Sequence, residues 1–263
     1  MSDYFAERRR IRNEALQVPC RDDELMIGPQ VARLSHSSVR AFANVKFGDQ
    51  GPFVLKVFWD PEPLKYEVFA YHPLQRECQN AALIQMIETA IAQATPESPI
   101  LVNANPESQY DARMNQRAIS EDGRARQQHK FTKASIETKE LSQVPRMKKC
   151  YGWLNVSGEM LRALPRSLRP PFIRIEKLIR QLSFEQDYVA IVYEYVEEGE
   201  NDHAVVQKTL EFLWLTGFTF TSSLERNWKS GVLVDLSDIV YPRGFGWQQA
   251  LYGERCADIL LRS

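Results

Sequence analysis

The sequence predicts a mixed α+β fold in which a small antiparallel sheet precedes most of the helices. Three strand-like runs, at residues 31–34, 39–47 and 53–58, are separated by short turns, which is typical of a β-meander. A stretch rich in Ala, Leu, Ile and Gln follows at residues 74–94 and ends before Pro96, as a long helix would. These observations indicate a sheet with one helix packed against it.

The second half of the chain continues the pattern with one more strand and one more helix. Residues 188–196 form a strongly apolar strand, and residues 204–216 carry apolar side chains at helical spacing on one face. Gly217 stands where a helix C-terminal cap is expected. Only 25 of the 263 residues follow Asp238, so the helical part after the sheet is predicted to be minimal.

Charge and composition exclude several classes of protein for this chain. The formal net charge of −1 gives no overall nucleic-acid signature. No run approaches the roughly 18 apolar residues of a membrane-spanning helix, so no membrane partner is expected, and the charged extension at residues 1–28 lacks the apolar core of a signal peptide. Four widely spaced cysteines form no zinc motif and indicate reduced thiols in an intracellular protein, cytoplasmic or nuclear: Cys20, Cys78, Cys150 and Cys256.

A single lysine stands inside an apolar strand. Lys56 is flanked by Leu55 and Val57, and a buried charge is costly unless a partner neutralises it. Glu77 follows on the predicted helix. Because protein kinases hold nucleotide phosphates with a strand lysine that a helix glutamate orients, Lys56 and Glu77 are candidate catalytic residues. The alternative is an edge-strand lysine and a solvent-facing glutamate.

A strand that runs into an acidic segment provides a candidate nucleotide contact. Glu194 and Val196 would present backbone groups to adenine and Glu200 a carboxylate to ribose, as the hinge between kinase lobes does. Tyr193 would lie at the back of such a pocket. The hinge is therefore predicted near Glu194 to Gly199, and the alternative is an ordinary strand followed by an acidic loop.

The segment after Gly217 matches a kinase catalytic loop in spacing but lacks its base. Kinases carry His-Arg-Asp there, with an asparagine five residues after the aspartate. Counting along this chain puts Ser222 at the aspartate position and Asn227 at the asparagine position. Since a serine hydroxyl is a poor base without an activating neighbour, phosphoryl transfer to a protein substrate is expected to be absent or very weak.

The metal-binding half of the kinase pattern is better preserved. Asn227 and Asp235 flank a short hairpin and offer the oxygen ligands that Mg²⁺ prefers, so ATP with Mg²⁺ is the candidate cofactor. Asp238 is a rival ligand, and a cap or turn role is the alternative for Asp235. The loop at residues 34–39, where kinases cover the phosphates with glycines, contains no glycine.

These strings resemble a fungal protein-kinase-like family named for the Fta-two subunit of the kinetochore Sim-four complex. The matching stretches are residues 55–58, 76–78, 150–154 and 227–238, within a resemblance that covers roughly residues 30–100 and 148–245. The resemblance implies a fungal source and a kinase-like domain over residues 29–263, with a small antiparallel-sheet N-lobe and a minimal helical C-lobe. It does not carry over the chemistry, because fold analogy supplies none.

Residues 101–147 form a long polar insertion with a basic balance. From Asn103 to Cys150 there are ten Lys/Arg against six Asp/Glu, so the insertion is a candidate for contact with RNA. A flexible solvated loop is the favoured interpretation, because only Tyr110 and Phe131 could stack on bases.

Two function classes follow from these features. The first is a degenerate kinase, or pseudokinase, that serves as an interaction module for a protein partner, with or without bound nucleotide. The second is a transferase of fungal secondary metabolism that transfers a group to a small-molecule substrate, in one version from an aminoacyl-tRNA carrier. Loss of the base and of the glycine loop favours the first class. Retention of Lys56, Glu77, Asn227 and Asp235 favours the second.

Overall fold

A computed structural model describes the chain over residues 25–27, 31–32, 38–47, 49–58, 73–166, 169, 173–175, 178–180, 183–221 and 225–262. The described residues form two compact units. The first contains the residues up to Cys78 together with Lys149–Tyr195, and the second contains Gln79–Lys148 together with the residues from Val196 onward. Helices and small antiparallel strand pairings occur in both units, so the predicted α+β class is confirmed.

The strands are numbered in chain order. They are β1 Leu25–Ile27, β2 Val31–Ala32, β3 Ser38–Phe47, β4 Gln50–Phe58, β5 Leu101–Asn103, β6 Thr138–Glu140, β7 Cys150–Ser157, β8 Ile173–Ile175, β9 Leu178–Arg180, β10 Asp187–Glu194, β11 Thr219–Phe220, β12 Trp228–Lys229, β13 Val232–Leu233 and β14 Ile239–Val240. The helices are α1 Pro73–Ala92, α2 Gln109–Ile119, α3 Glu121–Lys133, α4 Gly158–Ala163, α5 His203–Leu215 and α6 Ala257–Leu260. The predicted meander, long helix and late strand correspond to β2–β4, α1 and β10.

The first unit is built around a six-stranded antiparallel sheet. Its strands follow the order β1-β3-β4-β10-β7, and β2 also pairs with β3. The register places Ile191 of β10 opposite Lys56 of β4. On the other side of β10, Tyr193 lies opposite Cys150 of β7. The chain therefore returns to pair its late strands directly with the predicted meander.

Alternation along the central strands gives the sheet two different faces. Leu55 and Val57 of β4 belong to a buried apolar cluster that includes Leu161 of α4. The other buried members of this cluster are Val45, Val156, Leu164, Tyr188, Ala190 and Val192. Because successive side chains of a strand point to opposite faces, Lys56 projects from the face opposite this cluster. The apolar pattern of β4 thus directs one charge away from the main core of the unit.

The favoured interpretation of residues 101–147 as a flexible loop is wrong. β5 and β6 pair as an antiparallel ribbon, and the helices α2 and α3 lie between them in the chain. Ser108 and Asp111 form a capping box at the start of α2, and the Ser120 hydroxyl caps α3. Both helices are polar on their outer sides, so few apolar positions, such as Phe131 of α3, mark their buried faces.

Helix α5 ends as the sequence predicts. Gly217 adopts a φ of +92°, a left-handed conformation that glycine adopts without steric cost. Its N–H donates to the Trp214 carbonyl at 2.9 Å, and the N–H of Phe218 donates to the Leu213 carbonyl at 2.8 Å. Of the α-helices in the described residues, only α5 and the four-residue α6 follow β10, so the α-helical part of the chain after this strand is short, as expected.

The second unit is helical with three small strand pairs. Beside the β5–β6 ribbon, β11 pairs with β14 and β12 with β13. Its helices come from two stretches of chain, one on each side of β7 and β10 in the sequence. No helix in the described part of the chain is both long and apolar enough to cross a membrane.

Candidate functional site

Each unit contains a cluster of buried polar side chains. In the first unit the cluster consists of Lys56, Glu77 and Tyr193. In the second unit it consists of Asn80, Asn227, Asp235 and Asp238. Since buried polar groups are costly unless they are hydrogen-bonded, the partners of these side chains decide what each cluster can do.

The predicted ion pair between Lys56 and Glu77 is confirmed. The Lys56 ammonium donates to the Glu77 carboxylate, with 2.5 Å between Nζ and Oε2. The lysine side chain is 2% exposed and the glutamate side chain is fully buried. Neither residue is therefore the edge-strand or solvent-facing side chain of the alternative interpretation.

Local structure explains why these two residues meet. Lys56 leaves the sheet on the face opposite the main apolar cluster, and α1 begins at Pro73, a residue that suits the first turn of a helix. Glu77 lies one turn further along α1. The start of α1 thus places the Glu77 carboxylate beside the Lys56 ammonium.

Tyr193 is a second donor to the same carboxylate. Its hydroxyl donates to Oε1 of Glu77 at 2.9 Å, and the side chain is fully buried. Burial, followed by the negative charge of Glu77, raises the pKa of the Tyr193 phenol well above its ordinary value. The phenol thus stays protonated and keeps donating. Glu77 is held from two sides, by an ammonium on Oε2 and a hydroxyl on Oε1.

The predicted nucleotide contacts lie at the end of β10 and in the acidic segment that follows it in the chain. Glu194 is the last residue of β10, and its N–H donates to the Lys149 carbonyl at 3.0 Å. The chain leaves the first unit after Tyr195 and enters the second at Val196. Glu200 is exposed. The structure places Glu194 at the end of an interior strand and leaves Glu200 exposed.

The acidic segment that follows is fixed to the β12–β13 hairpin. The Ser230 hydroxyl donates to the Glu197 carbonyl at 3.0 Å, and the N–H of Gly231 donates to the Asn201 side chain at 2.9 Å. Ser230 and Gly231 both have positive φ, +49° and +76°, as the two central residues of a type I′ turn require. The acidic segment is therefore ordered by backbone and side-chain contacts.

Asn227 lies directly before this hairpin and is buried. Its backbone carbonyl accepts from the N–H of Val234 at 2.8 Å, which closes the hairpin. Its side-chain amide donates to Oδ2 of Asp238. The expected short hairpin between Asn227 and Asp235 is confirmed, and the carboxylate that contacts Asn227 is that of Asp238, the rival named from the sequence.

Asp235 follows β13 and is fully buried. Its Oδ1 accepts from the N–H of Ser237 at 3.1 Å and from the Ser237 hydroxyl at 2.6 Å, which caps the short 3₁₀ turn Leu236–Asp238. This is the cap role that was left open as the alternative.

Two further buried polar residues were missed by sequence reasoning. Asn80 donates from its side-chain amide to the carbonyls of Leu236, at 2.8 Å, and Ile239, at 2.7 Å, so it fixes the turn that Asp235 caps. Lys148 is also buried and donates to the Val234 carbonyl. The signal for Asn80 was its position three residues after Glu77, on the same side of α1. Lys148 carries no comparable signal in the sequence.

Two predicted features lie outside the described residues. Ser222, the residue at the base position, falls in residues 222–224, and most of the loop at 34–39 falls in residues 33–37. The strand that precedes Ser222 is described. There, the N–H and hydroxyl of Thr221 both donate to the Asp238 carbonyl, at 2.7 and 3.1 Å.

The buried polar side chains of these clusters supply some, but not all, of the contacts that ATP with Mg²⁺ needs. Lys56 supplies a buried cation of the kind that contacts phosphate, and Asn227, Asp235 and Asp238 supply oxygen ligands that suit Mg²⁺. Within the described residues, no group of three or more His, Cys, Asp or Glu side chains could hold a metal ion. Magnesium would therefore need phosphate oxygens and water to complete its coordination.

Comparison with known proteins identifies no family for this chain. No protein-family model, no curated protein and no solved structure matches this chain. The assignment of a function therefore rests on the side chains and contacts described above, and the resemblance to the kinetochore-named family stays a hypothesis.

Proposed function

We propose that this chain is a degenerate protein-kinase-like protein that binds a nucleotide with Mg²⁺ and acts as an intracellular interaction module for a protein partner. It would belong to the fungal family that its sequence resembles. The buried Lys56–Glu77 pair is the single observation that carries the proposal. The experiments below test nucleotide binding and phosphoryl transfer separately.

The ion pair supports a function because stability alone does not require it. Replacing a buried ion pair by well-packed apolar residues is often neutral or stabilising. Here both members of the pair are almost fully buried, and Tyr193 supplies an additional donor to Glu77. A lysine held in this way is the group that protein kinases use to contact the nucleotide phosphates.

In the proposal, the remaining candidate residues divide the other roles. Backbone groups of Glu194 and Val196 contact the base, and Glu200 contacts the ribose. Asn227 and Asp235 provide oxygen ligands for Mg²⁺. The position of Asp235 directly after a buried strand and the hairpin that separates it from Asn227 support this division.

Phosphoryl transfer is proposed to be weak because Ser222 replaces the catalytic aspartate. A positioned base contributes about 10²–10⁴-fold to a rate. The unmodified chain should therefore bind nucleotide but phosphorylate protein substrates poorly, and Ser222→Asp should restore part of the activity. Robust phosphorylation of a protein by the unmodified chain would refute the pseudokinase assignment.

Thermal unfolding with and without ligand tests nucleotide binding. ATP with Mg²⁺ at one hundred times its dissociation constant should stabilise the protein by about 2.7 kcal/mol, and Asp235→Asn should lose most of this gain. Asp187→Asn, at an exposed carboxylate of β10, is the matched control and should keep the full gain. If millimolar ATP with Mg²⁺ leaves the melting temperature of the unmodified chain unchanged, the nucleotide-binding proposal is wrong.

The preserved buried charges also favour a second candidate, a transferase acting on a small molecule in fungal secondary metabolism. A pure scaffold has no need of a buried lysine, glutamate and aspartate. Biosynthetic genes beside this gene would favour the transferase, and an isolated gene would favour the interaction module. In the version with an aminoacyl-tRNA carrier, the aminoacyl ester bond breaks as the acyl group passes to a nucleophile of the small molecule, and the tRNA leaves. Without that acceptor water takes its place, so the purified protein should hydrolyse charged tRNA, and Glu77→Gln should reduce the rate.

A further inference from the structure

The turn between α1 and β5 contains both of the Ser/Thr-Pro dipeptides in the chain, Thr95-Pro96 and Ser98-Pro99. It is a β-turn, closed by the N–H of Ser98, which donates to the Thr95 carbonyl at 2.9 Å. Residues 95–98 are all exposed. Two hydroxyl groups that another protein can reach are therefore presented within four residues.

The two hydroxyl groups of this turn have different partners. The Thr95 hydroxyl donates to the Glu97 carboxylate, which also accepts from its own backbone N–H. The Ser98 hydroxyl instead accepts from Nη1 of Arg124 at 3.3 Å, and the Ser98 carbonyl accepts from the same nitrogen at 2.9 Å. One hydroxyl thus lies beside an anion and the other beside a cation.

Arg124 is half-buried, and among the described residues its guanidinium bonds only to neutral oxygens. Besides Ser98, its partner is the Ile119 carbonyl, 3.5 Å from Nη2. Its Nε atom is buried and has no hydrogen-bond partner within the described part of the chain. The acids nearest to it in sequence, Glu121 and Asp122, form no ion pair with it within 4.0 Å. Negative charge on Ser98 would therefore supply the counter-charge that Arg124 lacks.

We propose that Ser98 is a phosphorylation site and that Arg124 binds the phosphate. A protein kinase transfers the γ-phosphoryl group of ATP to Oγ of Ser98. The bond between phosphorus and Oγ forms, the bond between the γ-phosphorus and the bridging oxygen of ADP breaks, and the hydroxyl proton passes to the base of that kinase. Because Pro99 disfavours helical backbone at Ser98, the kinase is one that recognises an extended Ser-Pro dipeptide.

The phosphate fixes the turn to α3. Phosphoserine carries a charge of about −1.5 to −2 near neutral pH, and arginine binds phosphate through paired hydrogen bonds that are roughly twice as strong as neutral ones. Since Nη1 of Arg124 already lies beside Oγ of Ser98, the phosphate oxygens reach the guanidinium without a change of the backbone. A phosphate on Thr95 would instead lie beside the Glu97 carboxylate, which repels it. The contacts of the turn therefore favour Ser98 over Thr95.

The shape of the turn does not itself require a charged partner. Pro96 occupies the second position, which proline favours in β-turns, and the N–H of Ser98 closes the turn. A neutral donor could make the same bonds to the carbonyl and hydroxyl of Ser98 as Arg124 does. The inference goes beyond the proposed function and does not depend on it, because the kinase that modifies Ser98 is a separate protein.

Incubation of the purified full chain with ATP and a protein kinase that recognises Ser/Thr-Pro dipeptides, followed by mass spectrometry, tests the site. Phosphate should be found on Ser98 and should be lost in Ser98→Ala. Thr95→Ala, at the other dipeptide of the same turn, is the matched control and should keep the phosphate. Phosphate mainly on Thr95, or on neither residue, would overturn the assignment of Ser98.

Phosphorus NMR of the phosphorylated chain tests the role of Arg124. The second pKa of phosphoserine is about 6, and it should fall by about one unit here because the guanidinium favours the dianion. Arg124→Gln should return the pKa to about 6, whereas Arg126→Gln, at an exposed arginine of the same helix, should leave it lowered. The same pKa measured in urea gives the reference value if Arg124→Gln does not fold. A pKa that is equal in the folded and urea-unfolded chain, or that Arg124→Gln leaves lowered, would show that Arg124 does not bind the phosphate.

Discussion

The buried polar clusters of the two units are held in opposite ways. In the first unit, Lys56, Glu77 and Tyr193 contact one another through side chains that are 21 and 116 residues apart in sequence. In the second unit, Asp235 bonds to Ser237, two residues away, and Asn80 donates to the backbone carbonyls of Leu236 and Ile239, 156 and 159 residues away. The first cluster is held through bonds to one charged side chain, whereas in the second the cap of Asp235 is local and the contacts of Asn80 are neutral bonds to the backbone. The two should therefore respond very differently to the loss of one partner.

The largest effect is expected at the ion pair. Glu77→Gln removes the negative charge but keeps the shape of the side chain, so the Lys56 ammonium stays buried beside a neutral amide. Breaking a buried pair by removing one partner typically costs about 3–5 kcal/mol. Urea unfolding of the variant should show a loss of this size in the free energy of unfolding.

A second Lys–Glu pair provides the matched control. Lys139 and Glu211 are 48% and 37% exposed, and exposed pairs contribute at most about 1 kcal/mol. Glu211→Gln should therefore change the free energy of unfolding by less than about 1 kcal/mol. Similar losses for Glu77→Gln and Glu211→Gln would show that burial does not set the strength of the first pair.

Sequence reasoning predicted the first pair because a charge inside an apolar strand is an unusual pattern. Lys56 sits between Leu55 and Val57, and burial without a counter-charge would be prohibitive, so a distant carboxylate was required. The bond from Tyr193 to Glu77 was not predictable in the same way. It depends on how closely β10 approaches α1, which no local pattern encodes.

The same reasoning failed where polar composition hid regular structure. α3 buries only Gln127 and Phe131, so its hydrophobic period is weak. α2 does bury Ala112, Met114, Ala118 and Ile119 at helical spacing, a signal that the polar composition of the segment as a whole concealed. The capping signals were present, since Ser108 and Ser120 stand directly before the two helices. Attention to capping residues, in addition to hydrophobic spacing, would have predicted two helices in this segment.

The next largest effect is expected at Tyr193. Tyr193→Phe removes the hydroxyl that donates to the Glu77 carboxylate, and hydrogen bonds to charged groups contribute about 1.5–3 kcal/mol. Tyr188→Phe is the control on the same strand. Among the described residues, the Tyr188 hydroxyl bonds to the backbone N–H and carbonyl of Ser183, which are neutral, so its loss should cost about 1 kcal/mol. Equal losses measured by urea unfolding would mean that the bond from Tyr193 gains nothing from the charge of Glu77.

Alkaline pH should weaken the first unit through the same phenol. Burial and the charge of Glu77 raise the pKa of Tyr193 in the folded protein, whereas in the unfolded chain the pKa is about 10. The folded state therefore keeps a proton that the unfolded state loses. Stability from this source is complete below about pH 10 and falls by up to about 1.4 kcal/mol per pH unit above it.

Unfolding measured between neutral and strongly alkaline pH checks this expectation. In Tyr193→Phe, the free energy of unfolding should fall less steeply above about pH 10. Tyr252, in the second unit, also has a raised pKa because of burial and then of the charge of Asp111, so Tyr252→Phe should remove a separate part. A decline that is unchanged in both variants would assign the alkaline instability to other groups.

The smallest effect is expected in the second cluster. Ser237→Ala removes the hydroxyl that donates to Oδ1 of Asp235 at 2.6 Å, but the N–H of Ser237 still donates to the same oxygen. Because this local contact survives, the free energy of unfolding should fall by only about 1 kcal/mol. Urea unfolding measures this loss. A loss as large as that of Glu77→Gln would show that the turn is held by its side chains as rigidly as the ion pair, and the contrast between the two clusters would then disappear.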